Sequence, residues 1–474
     1  MSEKPLKTMS GKAPLSVDAV VHGATLITLN SRREVITDGA LAIKRGKIAL
    51  IGKTEDVLSS CVATEQIDGR NFVVTPGLID GHVHITGDPL TRGVKRGGLG
   101  LNFTETLLDW VIPIFHAHTP ADEKVSAKFA AIGMLKYGVT SFIEAGTISH
   151  LDAVVEGLRE TGIRARVGGW VEGRSFNSDA STEREALDQA INVLETEIES
   201  YPDSDQAKIA AWPLLIGHSV NPEEVWRAAK QLSDQKRVRI SAHMSPLAAD
   251  VEWFLEHTGK RPIEYLDSIG VLGENVILTH VAHIDERELE ILARTGTNVV
   301  FCPYAALKGA FGATSVGLFP EMSKTGINVM LGTDGVAVNL LQSARLMAGM
   351  FNDARMDETI FDNCAALEMI TINGADGLGA PESLGSLEIG KKADFACFDT
   401  DCAEWFPSFD IVDQVLQAAS QTGAHSVWVD GIRVVENGQS TLVDEEELIF
   451  EARASGADVM KRTDLPVLHD WPVI

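Results

Sequence analysis

Residues 76–84 read PGLIDGHVH and place two histidines, His82 and His84, directly after an apolar run. The run that ends in Leu78 and Ile79 has the character of a buried strand. Side chains two residues apart on a strand project to the same face, so both imidazoles point the same way. Two imidazoles held side by side can bind one cation from adjacent directions, and the stretch therefore predicts a pair of metal ligands.

Apolar runs of this kind alternate with helix-like segments from residue 73 onward, a pattern that predicts parallel strands linked by crossover helices. The segments 122–138 and 285–296 are well-marked helices, because acidic residues occupy their first turns and a glycine ends each one. The predicted strands are VVTPGLID (73–80), TSFIEAG (140–146), RARVGGWV (164–171), IAAWPLLIG (209–217), RVRISAHM (237–244), NVILTHVAH (275–283), NVVFCP (298–303) and NVMLGTDG (328–335). These strand-and-helix units match a (β/α)8 TIM barrel, an α/β fold, and a doubly wound open sheet is the alternative.

Polar residues stand at the carboxyl ends of several of these runs, and they favour the barrel. In a barrel those ends converge on one mouth, whereas the ends of the outer strands of an open sheet lie far apart. Alone, each residue has an ordinary explanation, such as a hydrogen-bonded core histidine or a turn aspartate. Together they predict a site that suits Zn²⁺, with Fe²⁺, Mn²⁺ or Co²⁺ as alternatives. The polar residues at these strand ends are His82, His84, Glu144, His218, His243, His280 and Asp334.

The two flanks of the barrel region show short alternating strands with glycine turns, as in β-hairpins. They predict a small β-sandwich domain formed by both termini. The expected division is a mobile N-terminal arm over 1–16, sandwich over 17–72, the barrel over 73–380, and the second part of the sandwich with a tail over 381–474. Exposed sandwich edges and the arm predict a homo-oligomer.

Charge and composition exclude several classes of partner. The chain has 41 Lys and Arg against 67 Asp and Glu, and its net charge of −26 disfavours binding to nucleic acid or anionic lipid. No apolar run reaches the roughly 18 residues of a membrane span. The five cysteines are scattered without a CxxC pair, which argues against a disulfide framework. A cytoplasmic protein with a small-molecule substrate is the expectation.

The stretches PGLIDGHVH, SAH, THVAH, LGTDG and LGSLEIGKKADF resemble the amidohydrolase superfamily, in particular its cytosine deaminase, methylthioadenosine/adenosylhomocysteine deaminase and triazine hydrolase branch. The resemblance covers nearly the whole chain. It implies a distorted (β/α)8 barrel that holds one divalent metal ion per subunit, zinc before iron, manganese or cobalt. It implies His82, His84, His243 and Asp334 as the ligands. It also implies two catalytic residues, Asp334 as the carrier of a proton from water to the leaving nitrogen and His280 as a stabiliser of the developing oxyanion.

Some relatives in this superfamily hold two metal ions bridged by a carboxylated lysine at the end of the fourth strand. Here the run 209–217 has no lysine near its carboxyl end, and Lys208 stands at its start, on the opposite rim. We therefore expect a mononuclear site.

The fifth strand departs from the deaminases of this branch, which carry the motif HxxE there. The glutamate of that motif protonates a ring nitrogen of the substrate, but here the stretch from His243 to Pro246 reads HMSP, and proline cannot donate a proton. The loss favours a substrate with an electrophilic carbonyl carbon, namely the amide, urea or carbamate of a fairly apolar small molecule. A deaminase of an N-heterocycle such as a purine, pyrimidine or triazine is the alternative. A non-catalytic binding protein on the same scaffold is the third hypothesis.

Four further residues are candidate substrate contacts. Trp110 and Trp170 are possible pocket walls, since aromatic side chains line apolar ligand sites, although core packing explains either one equally well. Glu144 is a candidate replacement for the lost acid, and His218 follows the fourth strand. The connection 85–120 is expected to cover the site, because long loops inside compact domains tend to be functional.

Overall fold

The structure is a computed structural model that describes residues 13–94, 110–173, 180–218, 220–336 and 338–467, together with residues 469 and 471. The strands are β1 (Leu15–Ile27), β2 (Val35–Lys44), β3 (Lys47–Lys53), β4 (Cys61–Asp68), β5 (Phe72–Pro76), β6 (Leu78–Val83), β7 (Val139–Glu144), β8 (Arg164–Val167), β9 (Ile209–Ala211), β10 (Leu214–Leu215), β11 (Ile240–Met244), β12 (Val276–His280), β13 (Asn298–Phe301), β14 (Val329–Leu331), β15 (Phe395–Asp399), β16 (Ser426–Val429), β17 (Ile432–Glu436) and β18 (Gln439–Ser440).

Helices connect and cover these strands. They are α1 (Thr54–Ser60), α2 (Ile112–His116), α3 (Pro120–Leu135), α4 (Leu151–Thr161), α5 (Ala180–Ser200), α6 (Glu223–Lys236), α7 (Ala248–Thr258), α8 (Pro262–Ser268), α9 (Glu286–Thr295), α10 (Pro303–Lys308), α11 (Ala313–Val316), α12 (Phe319–Lys324), α13 (Leu340–Arg355), α14 (Asn363–Met369), α15 (Ile372–Gly377), α16 (Ile411–Thr422) and α17 (Glu445–Thr463), with 3₁₀ turns at Asp88–Leu90 and Asp334–Val336.

The predicted barrel is confirmed. Strands β6 to β9 and β10 to β14 form two parallel ladders. The break between them is local, because Trp212 N–H donates to the Val167 carbonyl and Ser241 N–H donates to the Pro213 carbonyl. Strands β14 and β6 approach closely at Gly332, where a Cβ atom would come within 2.7 Å of the His82 carbonyl oxygen. Only glycine allows this approach.

The predicted first strand, 73–80, is wrong as a single element. Residues Phe72–Pro76 pair with β1 and β15 in the sheet formed by the termini, and only Leu78–Val83 belongs to the barrel. The break falls at Gly77, where a Cβ atom would lie 2.1 Å from Thr140 Oγ1. Both halves are apolar because both are buried, so composition alone does not separate them. The domain boundary drawn at residue 73 stays a prediction.

The two best-marked helices of the sequence are confirmed with shifted ends. The one predicted over 122–138 spans Pro120–Leu135, and the one predicted over 285–296 spans Glu286–Thr295. Thr119 and Asp285 cap their N-termini through capping boxes. These caps fix where each helix leaves the barrel rim and so where the preceding strand-end loop runs.

Among the described residues the terminal sheet contains nine strands, eight in the order β18-β17-β16-β15-β5-β1-β2-β3, with β4 paired to β1. Both of its faces are covered, since Val21 packs into one apolar cluster and the adjacent Val20 into another. The predicted N-terminal arm is too long at its inner end, because Leu15 and Ser16 pair with Cys61 and Val62. Residues 1–12 of that arm lie outside the described residues.

The C-terminal segment, predicted as the second part of the sandwich with a tail, contains more helix than that prediction expects. Helix α16 buries Val415 and Leu416 and packs on α13 and α14. Helix α17 packs on α3 and on the Asp88–Leu90 turn, and Arg462 near its end donates to Asp122. The sequence prediction weighed only the strand pattern of this segment and missed the helical one. Within the described residues, none of these helices is long and apolar enough to cross a membrane.

Candidate metal centre

Four separate strand ends bring the predicted imidazoles and carboxylate together at the barrel mouth. His82 lies within β6, His84 just follows it, His243 and His280 lie at the ends of β11 and β12, and Asp334 follows β14. The ring centroids of His82 and His243 are 4.6 Å apart, and those of His82 and His84 are 5.3 Å apart. His280 lies 5.6 Å from His243. The convergence expected of a barrel is therefore present.

Potential ligand atoms of these residues fall into overlapping groups that lie within 4.8 Å of one another. One group is His82, His243 and His280, and a second is His82, His84 and Asp334. His84 Nε2 lies 3.2 Å from Asp334 Oδ1, and His280 Nε2 lies 3.9 Å from Asp334 Oδ2. A further group joins Cys302 to His280 and Asp334, and the strand-end cysteine was missed because only imidazoles and carboxylates were considered.

Hydrogen bonds at Nδ1 orient three of the imidazoles. His82 Nδ1 lies 3.2 Å from Thr279 Oγ1, His84 Nδ1 lies 3.1 Å from Thr147 Oγ1, and His243 Nδ1 lies 3.0 Å from the Ile216 carbonyl oxygen. In each ring these hydrogen bonds leave the opposite nitrogen, Nε2, available to the space between the candidate ligands. His82 Nε2 is buried and has no hydrogen-bond partner among the described residues.

These donors fit a divalent metal ion. Ligating histidines typically donate their second N–H to a carbonyl or hydroxyl, which fixes the tautomer and the ring orientation. A buried nitrogen without a partner costs free energy unless a ligand satisfies it. Three nitrogens and one carboxylate are a donor set that zinc and other first-row metals accept.

Burial and neighbouring charges shift the pKa values of the cluster in different directions. Burial opposes protonation of His84, but the hydrogen bond to Asp334 and the charge of Asp334 raise the pKa of His84 above the usual histidine value. Burial lowers the pKa of His82 and His243 well below the usual histidine value, so both imidazoles are neutral. Burial also lowers the pKa of His280 to about 4, against the pull of Asp334. Burial opposes ionisation of Asp334, but the hydrogen bond to His84 and the surrounding imidazoles hold the pKa of Asp334 well below its usual range. Neutral imidazoles beside an ionised carboxylate are the forms that bind a metal.

Strained backbone marks the same region. His218, Ser245, His280 and Asp334 have φ angles of 49°, 51°, 79° and 58°. Non-glycine residues with positive φ are uncommon, and strain of this kind concentrates at functional sites because the surrounding fold must hold it in place. All four positions follow or end a barrel strand at the mouth.

Glu144 ends β7 and is bonded to the loop that follows this strand. The side chain is fully buried, and its carboxylate accepts hydrogen bonds from the Gly146 and Thr147 N–H groups and from the Thr147 hydroxyl. Burial raises the pKa of Glu144 to about 7, against the influence of His84 and these hydrogen bonds. A direct substrate contact through Glu144 stays a prediction, and these bonds occupy the oxygens that it would need.

His218 stands at the edge of the cluster. Its ring stacks on His243 with a centroid separation of 5.6 Å, and its Nδ1 lies 3.2 Å from Asp250 Oδ1. Burial opposes ionisation of Asp250, but His218 and the Leu247 N–H hold the pKa of Asp250 below its usual value. Asp250 was missed because it lies on α7, beyond the strand end that carries His243.

Aromatic rings lie beside two of the histidines of the cluster. Phe115 on α2 lies 5.9 Å from His84, Trp170 lies 6.2 Å from Phe115, and Phe311 lies 5.4 Å from His280. Trp170 thus lies next to the ring that contacts the candidate ligand His84, a position that suits a pocket wall. Trp110 is buried with 7% exposure, and a substrate contact there stays a prediction. Phe115 and Phe311 had no distinguishing signal in the sequence.

Two other predictions concern the surroundings of the cluster. Lys208 immediately precedes β9 and so lies at the amino end of the fourth strand, as expected. The connection 85–120, predicted to cover the site, is described only in part, since 95–109 lie outside the described residues. Its described end carries Phe115 to the cluster.

Comparisons with known proteins show what this chain is similar to. Residues 73–434 match the sequence model of the Amidohydrolase family. A 5-methylthioadenosine/S-adenosylhomocysteine deaminase of Thermodesulfovibrio yellowstonii is 30% identical over 441 residues, which are 91% of this chain and 97% of the relative. The enzyme of the same name from Acetivibrio thermocellus is 28% identical over 449 residues, 94% of this chain and 100% of the relative.

Solved structures of similar fold include two zinc-containing proteins. An adenosine deaminase from Xanthomonas campestris with bound zinc superposes with a TM-score of 0.84 at 22% identity, over 95% of this chain and all of the other. An atrazine chlorohydrolase from Arthrobacter aurescens TC1 complexed with zinc gives a TM-score of 0.82 at 23% identity, over 92% of this chain and all of the other. At this identity the likeness concerns the fold. Because the family match covers most of the chain and the sequence relatives align end to end, the chain belongs to the amidohydrolase family and is a hydrolase that acts on carbon–nitrogen bonds.

Proposed function

We propose that this enzyme hydrolyses a non-peptide C–N bond in the amide, urea or carbamate of a fairly apolar small molecule, with one divalent metal ion per subunit. The observation that carries the choice of substrate is Pro246. It is buried and lies two residues after the end of β11, the strand that delivers His243, at the position of the proton-donating glutamate of the related deaminases. A carbonyl carbon is electrophilic enough to be attacked without protonation of an aromatic ring.

His82, His84, His243 and Asp334 would hold the metal ion, which we expect to be zinc. The support is their convergence and the orientation of the three imidazoles through Nδ1. When bound, a divalent ion supplies Lewis-acid polarisation of the substrate carbonyl and of the attacking water. Lys208 lies at the opposite rim, so a bridging lysine at the mouth is not expected and one ion is the proposed content.

Asp334 and His280 would carry the proton and charge transfers. Asp334 is ionised across the physiological pH range, so its carboxylate can accept a proton from the attacking water and pass it to the leaving nitrogen. His280 Nε2 lies 3.9 Å from Asp334 Oδ2. An N–H at this position would stabilise negative charge on the substrate oxygen. With its pKa near 4, His280 would act as a neutral donor.

Phe115, Trp170 and Phe311 would bind the apolar part of the substrate. Phe115 lies beside His84 with Trp170 next to it, and Phe311 lies beside His280. Apolar walls with a few directed polar groups are typical of small-molecule sites. Such walls suit an aryl or alkyl substituent.

A second candidate is an aminohydrolase of an N-heterocycle. The two relatives named above, at 28% and 30% identity, are deaminases of methylthioadenosine and adenosylhomocysteine. The pair of His218 and Asp250 at the edge of the cluster favours this candidate, since it offers an ionisable group near the place of the lost glutamate. A non-catalytic binding role has no comparable support, because every candidate ligand is retained.

A panel of substrates separates the two candidates. Zinc-loaded enzyme is assayed against anilides, phenylureas and aryl carbamates for amine release, and against adenosine, methylthioadenosine and aminotriazines for ammonia release. We expect amine release to dominate, and an Asp334→Ala variant prepared in parallel gives the background from contaminating hydrolases. Ammonia release from the heterocycles with no turnover of the carbonyl substrates would establish the aminohydrolase instead.

We also propose that the enzyme works in the cytoplasm and as a homo-oligomer. All five cysteines are free, as expected for a reducing compartment. The wide terminal sheet ends in the strand β3 on one side and the short β18 on the other, and strand edges are common places for subunit contact. Fractionation of the native host and light scattering of the purified protein test these two points.

A further inference from the structure

The loop that follows β7 is fastened to the strand end that carries His84. Thr147 lies in this loop and is 4% exposed. The Thr86 hydroxyl donates to the Thr147 carbonyl oxygen at 2.9 Å, and Ala145 N–H donates to the Val83 carbonyl oxygen at 3.1 Å. The Thr147 side chain is therefore held at a fixed distance from the imidazole that it contacts.

The direction of the hydrogen bonds through Thr147 follows from Glu144. One Glu144 oxygen accepts from Gly146 N–H at 2.6 Å, and both oxygens accept from Thr147 N–H at 3.2 and 3.3 Å. When Glu144 is ionised, its carboxylate is the acceptor throughout, and the Thr147 hydroxyl donates its only proton to Glu144 Oε1, 2.7 Å away. The hydroxyl oxygen is left as an acceptor, and His84 Nδ1 is 3.1 Å from it.

We propose that Glu144 and Thr147 are positioning residues that hold a proton of His84 on Nδ1, so that Nε2, which faces Asp334 Oδ1 in the metal-free protein, is the nitrogen that presents its lone pair when a metal ion binds. The inference rests on the proposed function, since His84 is a proposed metal ligand. It assigns Glu144 a role in metal binding through Thr147 and no contact with substrate. Groups of this kind typically change metal affinity by about 10- to 100-fold when they are removed.

Two substitutions break the chain of hydrogen bonds in different ways. Thr147→Val keeps the shape of the side chain but removes the acceptor for His84 Nδ1. Glu144→Gln keeps an oxygen for the two backbone N–H groups and places an NH₂ donor against the Thr147 hydroxyl. The hydroxyl must then accept from the amide and turn its proton toward His84 Nδ1, which favours the wrong tautomer for metal binding.

Two further substitutions are matched controls. Thr147→Ser keeps the hydroxyl, so it preserves the proposed connection. Glu123→Gln changes a buried glutamate that fastens the same loop, because Glu123 accepts from the Ser149 and His150 N–H groups at 2.9 and 2.6 Å. No hydrogen bond described for Glu123 leads to His84, so this variant isolates loop anchoring from histidine orientation.

The test is zinc affinity of the full-length metal-free protein, measured by competition with a chromogenic chelator. Thermal unfolding midpoints of the metal-free variants verify folding, and the visible spectrum of the cobalt-loaded forms reports ligand geometry without turnover. Zinc binding about 10- to 100-fold weaker in Thr147→Val and Glu144→Gln, with altered cobalt spectra and wild-type values for both controls, supports the inference.

Other outcomes overturn it. Wild-type zinc affinity in both Thr147→Val and Glu144→Gln overturns the positioning role and leaves the proposed metal site intact. Equal weakening by Glu123→Gln assigns the effect to loop packing and overturns the role as well. A wild-type protein that binds no zinc overturns the proposed function, and the inference with it.

Discussion

Asp80 lies where the barrel closes, and substitution there should destabilise the fold measurably. The side chain is fully buried, and its Oδ1 accepts from His82 N–H at 3.2 Å and from Thr333 N–H at 3.1 Å. Its Oδ2 accepts from the Thr333 hydroxyl at 2.6 Å. These bonds join β6 to the segment after β14, between one candidate ligand and the residue before Asp334.

Asp80→Ala leaves these three donors buried without an acceptor. At about 1–3 kcal/mol for each unsatisfied group, the loss in free energy of unfolding should be about 3 kcal/mol or more. Asp80→Asn is a sharper control, because its amide oxygen at the Oδ1 position still accepts from both backbone N–H groups. Its NH₂ group then donates to the Thr333 hydroxyl oxygen, so we expect a loss below about 1.5 kcal/mol.

Urea unfolding of the metal-free protein, followed by tryptophan fluorescence, measures both variants against the wild type. Metal-free protein is needed because a bound ion would add its own contribution to stability. An Asp80→Ala variant whose free energy of unfolding lies within about 0.5 kcal/mol of the wild type would refute the reasoning, since surface substitutions alone produce changes of that size.

Three further predictions concern two residues of the site and one glutamate on α5. Asp334→Asn keeps an oxygen ligand but removes the proton acceptor. Elemental analysis should therefore find bound metal in this variant, while its kcat should fall about 10²- to 10⁴-fold. Turnover at the wild-type rate would exclude Asp334 as the proton carrier. Trp170→Ala should raise KM for an aryl substrate about tenfold, which corresponds to a loss of roughly 1.4 kcal/mol of apolar contact, and should leave zinc affinity unchanged. Trp170→Phe keeps an aromatic ring and should have a KM close to that of the wild type. An unchanged KM in Trp170→Ala would show that Trp170 is not part of the pocket wall. Burial raises the pKa of Glu197 to about 7 from an unfolded value near 4.5, so the folded state binds the proton more tightly and loses stability as pH rises between these two values. Glu197→Gln should remove that loss, up to about 3 kcal/mol above pH 7, and thermal midpoints of both proteins from pH 4.5 to 8 measure it; parallel curves would contradict the assignment.

The sequence predicted the parts of the fold that rest on local patterns. The barrel strands followed from their apolar runs, and the convergence of His82, His84, His243, His280 and Asp334 followed from the rule that parallel strand ends meet in a barrel. The register of each strand places these side chains on the inner face. The positions of these residues at the ends of the predicted strands were therefore enough to predict the cluster.

The remaining features depend on contacts between segments far apart in the chain. Thr147 is unremarkable in sequence and matters only because β7 runs beside β6. The split of the run 73–80 depends on pairing of Phe72–Pro76 with β1 and with β15, some 320 residues later. The helical content after residue 410 was missed because the strand pattern of the segment was given more weight than its caps, although Asp410 and Asp444 both cap helices.

The central claim is that three imidazoles and one aspartate bind a single metal ion at the barrel mouth. Elemental analysis of the purified wild-type enzyme, beside His82→Ala and His243→Ala variants shown to be folded, tests it directly. The account predicts one equivalent of divalent metal per chain in the wild type and almost none in either variant. Two equivalents in the wild type, or undiminished metal in both variants, would contradict it.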